Sequence, residues 1–296
     1  MKEISVNSKV LSISHNDLDG CGSAILLGAV FDDIEYTVCS YYNINETLIK
    51  INPNDYDWIF ITDISPTLPE LLDRLPNSIL IDHHQTAKHL HNPKKHRYIN
   101  LKYSGTYLTK KFIDKMYGKD LLVRYTKMSV IINDYDMWIH KYPISKELND
   151  VYGLYDHELF RKRFKNGIIK FSKRELNHIQ SVKDHFDETY ENLEILEFDT
   201  IDSCFFMADT LVNELSQRLM EEEGYEFVFF NTTKNYKISV RSTMDDFNFG
   251  EYFKELGIGG GHPKAAGINA DSEEEMNKRI TFIEQDLYDK IERIRK

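Results

Sequence analysis

The stretch Ser12–Ala24, SISHNDLDGCGSA, decides how the N-terminal half is read. His15, Asp17 and Asp19 stand at alternate positions, directly after the apolar segment KVLSIS (Lys9–Ser14) and directly before a glycine-rich helix start. Alternate side chains of an extended backbone share a side, so the three polar groups are expected together at the carboxyl end of a first strand. Open α/β sheets bind their ligands there. An imidazole and two carboxylates at one edge call for a cation, and a mixed nitrogen and oxygen donor set suits manganese, zinc or iron better than calcium. Taken alone, the pattern is equally well met by an Asx-turn with Asp19 as a helix cap.

Three further segments end in the same way. DWIFITD (Asp57–Asp63) closes an apolar run with Asp63, and SILIDHH (Ser78–His84) closes another with Asp82, His83 and His84. In IINDYDMW, Asp134 and Asp136 interrupt an apolar segment ahead of Trp138, and buried acids need a partner that a metal would supply. His15, Asp17, Asp19, Asp63, His83 and one of Asp134 or Asp136 make six candidate ligands, too many for one ion. Two divalent ions sharing a bridging carboxylate would use them and keep open positions for water.

Between these segments helices are expected over Gly20–Phe31, over SPTLPELLDRL after Pro66, and over SGTYLTKKFIDKMYG with Gly118 as its stop. Alternation of strand and helix predicts a parallel sheet covered by helices. From about Lys119 to Asn192 the pattern is helical and ends in a long charged helix. A second alternation follows. It comprises the strand SCFFMA, a helix ending at Gly224, a hairpin turning near Lys234–Asn235, the glycine-rich loop GIGGGHPKAAGINA leading into a strand, and a closing amphipathic helix. The expected organisation is an α/β catalytic domain over residues 1–150, a helical linker over 151–195, and a smaller α/β substrate-binding domain over 196–296.

Composition sets the bounds. With 296 residues, 41% hydrophobic and 29% charged, the chain can bury two cores. Its apolar runs are too short to span a bilayer, and the N-terminus lacks a signal-peptide pattern. Three scattered cysteines make neither a disulfide framework nor a zinc motif, so the expected compartment is the cytoplasm. A net charge of −11 argues against long duplex DNA as a partner. It leaves small nucleotides open, because bound divalent ions reverse the local sign.

In order along the chain, SHNDLDGCGSA, ITDIS, LIDHHQT and NDYDMW resemble the four motifs of the DHH phosphoesterases. The later ISVRS and GIGGGHPKAAG resemble the associated C-terminal domain of the RecJ-like and nanoRNase (oligoribonuclease) branches, and the resemblance covers about residues 9–270. It implies a DHH domain that hydrolyses phosphodiesters with two divalent ions, manganese by the family's habit, which the sequence does not separate from cobalt or magnesium. By this resemblance His15 and Asp17 would bind one ion, Asp19, His83 and Asp136 the other, and Asp63 would bridge them. His84 would face the substrate phosphate while Asp82 orients a ligand, so Asp63, Asp82 and His84 are the expected catalytic groups. Water between two such ions is acidified towards neutrality and attacks phosphorus in line, without a covalent enzyme intermediate. Ser104, Gly105 and Thr106 are expected to do no more than start a helix.

Substrate choice rests on the second domain. Arg241, Gly259, Gly260, Gly261 and His262 are the expected substrate-binding residues. Glycine backbone approaches an anion closely and a guanidinium forks onto it, and the resemblance assigns them to the phosphate and terminal nucleotide. The inorganic pyrophosphatase branch, with a different basic signature, is disfavoured. RecJ exonucleases carry a further oligonucleotide-binding fold that is not expected here, and no basic stripe interleaved with aromatics is found. The basic cluster HLHNPKKHRY (His89–Tyr98) reads as a solvated loop. The expectation is therefore a manganese-dependent nanoRNase acting on dinucleotides and other short oligonucleotides. The alternatives are a RecJ-like single-stranded DNA exonuclease, a phosphatase for 3′-phosphoadenosine 5′-phosphate, and a non-catalytic binder of a nucleotide signal. No membrane partner is expected, and a homodimer is left open.

Overall fold

The computed structural model describes residues 4–198, 201–232 and 236–295. The chain divides into two compact units, Met1–Val182 and Lys183–Lys296. No helix among the described residues is long and apolar enough to cross a membrane.

In the first unit five parallel strands, β1 (Val10–His15), β2 (Ile34–Cys39), β3 (Trp58–Thr62), β4 (Ser78–Asp82) and β5 (Arg97–Ile99), lie in the order β2-β1-β3-β4-β5. The central β1, β3 and β4 are buried on both faces, His15 alone being half-buried. They therefore read as continuous apolar runs. Around them run α1 (Leu18–Gly28), α2 (Ile44–Lys50), α3 (Glu70–Asp73), α4 (Gly105–Tyr117), α5 (Thr126–Asp136), α6 (Pro143–Gly153) and α7 (His157–Phe164). Side chains of successive strand residues separate into two cores. Trp58, Phe60, Ile79 and Ile81 pack with Leu26, Ile132 and Phe160, whereas Ile59, Ile61 and Leu80 pack with Leu48, Leu71 and Leu72 on the other face. Each such burial contributes roughly 1.5–3 kcal/mol.

The strand order reverses between β1 and β3, so a crevice opens beside their carboxyl ends. His15 ends β1, and Asp63 follows β3. The sheet topology alone thus brings two of the polar segments to one place.

Two local expectations change. The helix expected after Pro66 is reduced to the single turn α3, because Pro66 and Pro69 bias Ser65 and Leu68 away from helical backbone. Inside the basic cluster read as a loop, Arg97–Ile99 forms β5, which pairs with β4 through Leu80↔Arg97. His96, with φ 58, closes the tight turn before it.

A long helix, α8 (Lys173–Glu191), contains the division between the units. In the second unit β6 (Ile195–Glu197), β7 (Ser203–Met207), β8 (Phe227–Asn231), β9 (Ile238–Ser242), β10 (Gly259–His262) and β11 (Ala265–Ile268) form a sheet ordered β10-β11-β9-β8-β7-β6. All its neighbours are antiparallel except β7 and β8. On one face Phe227, Phe229, Val240 and Ile268 pack against α10 (Phe249–Glu255) and α11 (Glu273–Arg295), through Phe249, Phe253, Ile283 and Leu287. On the other, Cys204, Phe206, Val228 and Phe230 meet Leu215 of α9 (Val212–Arg218). The hairpin expected from Tyr225 to Ser242 is the β8–β9 pair, and its turn at Lys234–Asn235 lies outside the described residues. The glycine segment expected as a loop is edge strand β10, paired with β11. A Cβ on Gly250 would fall 2.1 Å from the carbonyl oxygen of Gly261, so two glycines let α10 lie directly on that strand.

Candidate active site

The handover from β1 to α1 builds the first corner. Asp17 is the extended N-cap of α1, its Oδ1 accepting from the Gly20 amide at 2.9 Å and its Oδ2 lying 2.7 Å from His15 Nδ1. The helix folds back so tightly that a Cβ on Gly20 would lie 2.2 Å from the His15 carbonyl oxygen. Asp19, one turn on and buried, points to α4 instead. Its carboxylate accepts from the amides of Gly105 (2.5 Å) and Thr106 (2.9 Å), and its carbonyl accepts from the Thr106 hydroxyl (2.6 Å). The N-terminus of α4 thus fixes the orientation of Asp19.

Asp63 adopts φ 60, uncommon outside glycine, and is fully buried. Its Oδ1 lies 3.1 Å from His83 Nε2, while its Oδ2 lies 3.9 Å from His15 Nδ1 and accepts no hydrogen bond. Asp82, at the end of β4, accepts from the amides of His83 (2.7 Å) and His84 (3.2 Å), from His84 Nδ1 (2.7 Å) and from the Ser65 hydroxyl. His83 Nε2 also lies 3.4 Å from Asp136 Oδ2 and 3.8 Å from Asp19 Oδ2.

Asp134 and Asp136 have different surroundings. The buried Asp134 carboxylate accepts from the amides of Lys141 (3.0 Å) and Tyr142 (3.1 Å) and from the Ser145 hydroxyl (2.7 Å), a set that shapes the turn into α6. Asp136 ends α5 with its Oδ2 buried and without a hydrogen bond.

Three sets of donor atoms result, each within 4.8 Å of one another: His15, Asp17 and Asp63; Asp19, His83 and Asp136; and Asp63, Asp82, His83 and His84. Burial, then the charges of Asp19, Asp17, Asp136 and Asp82, push Asp63 well above the usual carboxylate range. The same two causes raise Asp136 to about 9. Burial holds His83 below its ordinary value, which keeps the imidazole neutral. Crowded acids with orphaned oxygens beside a neutral imidazole are a donor set that divalent cations satisfy. Burial opposes the charge on Asp82 and His84 alike and is the largest single influence, but their mutual hydrogen bond, their charge attraction and the neighbouring polar groups together outweigh it, lowering Asp82 and raising His84.

Two contributors escape the sequence motifs. Ser104 caps α4 as expected, accepting from the Tyr107 amide at 3.3 Å, yet the next two amides serve Asp19. Tyr41 stands just beyond β2, its hydroxyl 2.8 Å from His84 Nε2 and its ring centroid 4.9 Å from that of His15. Its only signal in sequence is its place after a strand next to β1.

The expected substrate-binding residues lie in the second unit. Arg241, Ala265 and His262 form one row across β9, β11 and β10, so their side chains share a face. The Arg241 guanidinium donates to Asn213 Oδ1 (3.1 and 2.8 Å) and to the Val240 carbonyl (2.9 Å), and lies 5.2 Å from the Phe230 ring centroid. Among the described residues no acid pairs with it, and burial lowers its pKa. Gly259, Gly260 and Gly261 run alongside as the outer strand.

Fold and donor set together define an α/β protein with an acid–imidazole cluster at the switch point of its parallel sheet. Residues 206–289 match the family model of the DHHA1 domain. No curated protein matches the chain. Among solved structures, it is similar to a pGpG-specific phosphodiesterase, PggH, from Vibrio cholerae, with 13% identity, a TM-score of 0.61, and 94% of this chain and 98% of that one covered. It is also similar to an exopolyphosphatase-related protein from Bacteroides fragilis (16% identity, TM-score 0.57, 96% and 94% covered). RecJ from Thermus thermophilus, solved with Mn2+, matches at 15% identity and a TM-score of 0.56, over 94% of this chain but 52% of RecJ. The chain shares the two-part fold of these solved structures, and its match to the DHHA1 domain lies in its C-terminal unit.

Proposed function

We propose that the protein is a divalent-metal-dependent phosphodiesterase that hydrolyses dinucleotides and other very short oligonucleotides to mononucleotides, with manganese as its working ion. One observation carries the reading. Six acid and imidazole side chains from four separate segments converge at the switch point of the sheet, with Asp63 and Asp136 oxygens buried and unsatisfied. In this reading His15 and Asp17 hold one ion, Asp19, His83 and Asp136 hold a second, and Asp63 is shared. Divalent cations supply Lewis-acid charge for phosphoryl oxygens and acidify water at neutral pH.

The remaining residues arrange that chemistry. Asp82 holds Nδ1 of His84 and Tyr41 meets its Nε2, so the imidazole is fixed in orientation beside the acid cluster. The raised pKa of His84 suits it to carry positive charge towards a phosphoryl oxygen. The α4 amides hold the Asp19 carboxylate in its orientation. Arg241, without an acidic partner among the described residues, is suited to a substrate phosphate.

Short substrates are supported by likeness: the fold is similar to that of a protein described as specific for pGpG. The test is product analysis of labelled RNA and DNA oligomers, from dinucleotides upward, with Mn2+ and with a chelator. Metal-dependent release of mononucleotides, fastest on dinucleotides, is expected. A preference for long single strands would replace this reading with a RecJ-like exonuclease, and no cleavage of any oligomer would remove the phosphodiesterase assignment.

A further inference from the structure

Trp138 has φ 55 and His140 has φ 52, left-handed conformations that bulky side chains rarely adopt. Asp134 enforces them. Its carboxylate accepts from the Lys141 and Tyr142 amides and the Ser145 hydroxyl, and its carbonyl accepts from the amides of Ile139 (2.9 Å) and His140 (3.3 Å). The Trp138 amide is held by the Tyr135 carbonyl at 2.9 Å.

Strain of this kind normally secures packing, but here it presents an aromatic surface. Trp138 is 43% exposed and Ile139 56% exposed, whereas the chain's other tryptophan, Trp58, is 4% exposed. The indole is backed by other rings: the Trp138 and His140 centroids are 4.2 Å apart, and His140 is stacked on Tyr135 at 5.6 Å with planes 13° apart. Tyr135 is itself anchored, its hydroxyl accepting from Asn149 Nδ2 at 2.8 Å. Tyr135 and Asn149 also line a small cavity of about 40 Å³ together with Asp17, Asp19 and Asp136. The ring cluster therefore adjoins the acids directly.

We infer that Trp138 is a stacking platform for a nucleobase of the substrate, its plane set by His140 and Tyr135 and its place set by the Asp134-held turn. A flat, uncharged π surface beside a phosphate-directed acid cluster suits a base attached to a reacting phosphate, and stacking tolerates any of the bases. The inference rests on the proposed action on oligonucleotides. It adds the group that tells a nucleotide from a phosphate ester without a base.

The test is a matched pair of ligands read by tryptophan fluorescence with Mn2+ present. Adenosine 5′-monophosphate and ribose 5-phosphate carry the same phosphate and differ by the base. Saturable quenching by the first and not the second is expected, and Trp138→Phe should abolish the signal. Trp138→Leu should raise the KM for a dinucleotide by about tenfold to a hundredfold, and Trp138→Phe should recover most of that loss. Equal effects of the two ligands, no quenching, or an unchanged KM in Trp138→Leu would overturn the platform. Hydrolysis without quenching would leave the phosphodiesterase reading standing and remove the platform. Base-dependent quenching without hydrolysis would do the reverse.

Discussion

A Cβ atom added to Gly105 would stand 2.7 Å from the Cβ of Asp63 and 2.9 Å from Oδ2 of Asp19. The first residue of α4 is thus wedged between two candidate ligands, one following β3 and the other in the first turn of α1. Alanine there must lengthen the 2.5 Å bond from the Gly105 amide to Asp19 or displace Asp63. Gly105→Ala is expected to weaken Mn2+ binding by about 10- to 100-fold, the usual effect of disturbing groups that orient ligands. Calorimetric titration with Mn2+ reads this, and unchanged affinity would mean that α4 does not set the site.

Asp63 itself is best replaced by asparagine, which tolerates its φ of 60 as alanine would not. Hydrolysis should fall below a few per cent of wild type, because both sets of donors lose a member. The metal-free variant should nevertheless melt higher than metal-free wild type at neutral pH, since asparagine needs no proton to sit uncharged among the crowded acids. Asp136 reports the same crowding through pH. Its carboxyl is raised from 3.8 to about 9, so between those values the folded state keeps a proton that the unfolded state has released. This contribution to stability is complete below pH 3.8 and is lost as pH rises towards 9, until a cation replaces the proton. Metal-free melting curves that rose over that range would contradict it.

What could be read in the sequence follows from how local each signal is. The central strands β1, β3 and β4 announce themselves as apolar runs, and each ends in a polar group whose placement needs only strand direction and sheet order. His15, Asp63 and His83 were legible for that reason. The role of Gly105 and Thr106 was not, because an N-cap motif does not reveal which distant carboxylate its amides will meet. Asp134 and Asp136 lie too close in sequence to be told apart by pattern. Their surroundings separate them: Asp134 is hydrogen-bonded into a turn, whereas Asp136 lies beside His83 in the acid cluster. Glycines at 259–261 read as a loop by propensity, but pairing with β11 and the close approach of α10 hold them extended.

Tyr41 offers a test of positioning. Its hydroxyl meets the nitrogen of His84 opposite the one bonded to Asp82, so the imidazole is held from both ends. Tyr41→Phe removes one hydrogen bond and should reduce kcat by about twofold to tenfold. Tyr41→Leu also removes the ring packed on His15 and should cost more. Full activity in the phenylalanine variant would make the hydroxyl a bystander.

A last prediction concerns stability away from the acid cluster. Glu175, in the first turn of α8, closes a capping box with Ser172: its Oε2 accepts from the Ser172 amide at 2.6 Å, and its own amide donates to the Ser172 hydroxyl at 3.3 Å. Arg163 of α7 forks onto both carboxylate oxygens at 2.9 Å, and the Tyr155 hydroxyl donates at 3.0 Å. Burial opposes ionisation of this acid, but Arg163 and the Ser172 donors outweigh it and hold the pKa at about 2 rather than 4.5. The unfolded chain therefore takes up a proton before the folded one does, and the stabilisation present above pH 4.5 is lost as pH falls towards 2. Glu175→Gln leaves Arg163 facing a neutral amide and should destabilise the N-terminal unit by about 3 kcal/mol at pH 7. The acid limb between pH 4.5 and 2 should flatten in the same variant. Urea unfolding followed across that range reads both effects, and parallel curves for variant and wild type would show that Glu175 does not carry this linkage.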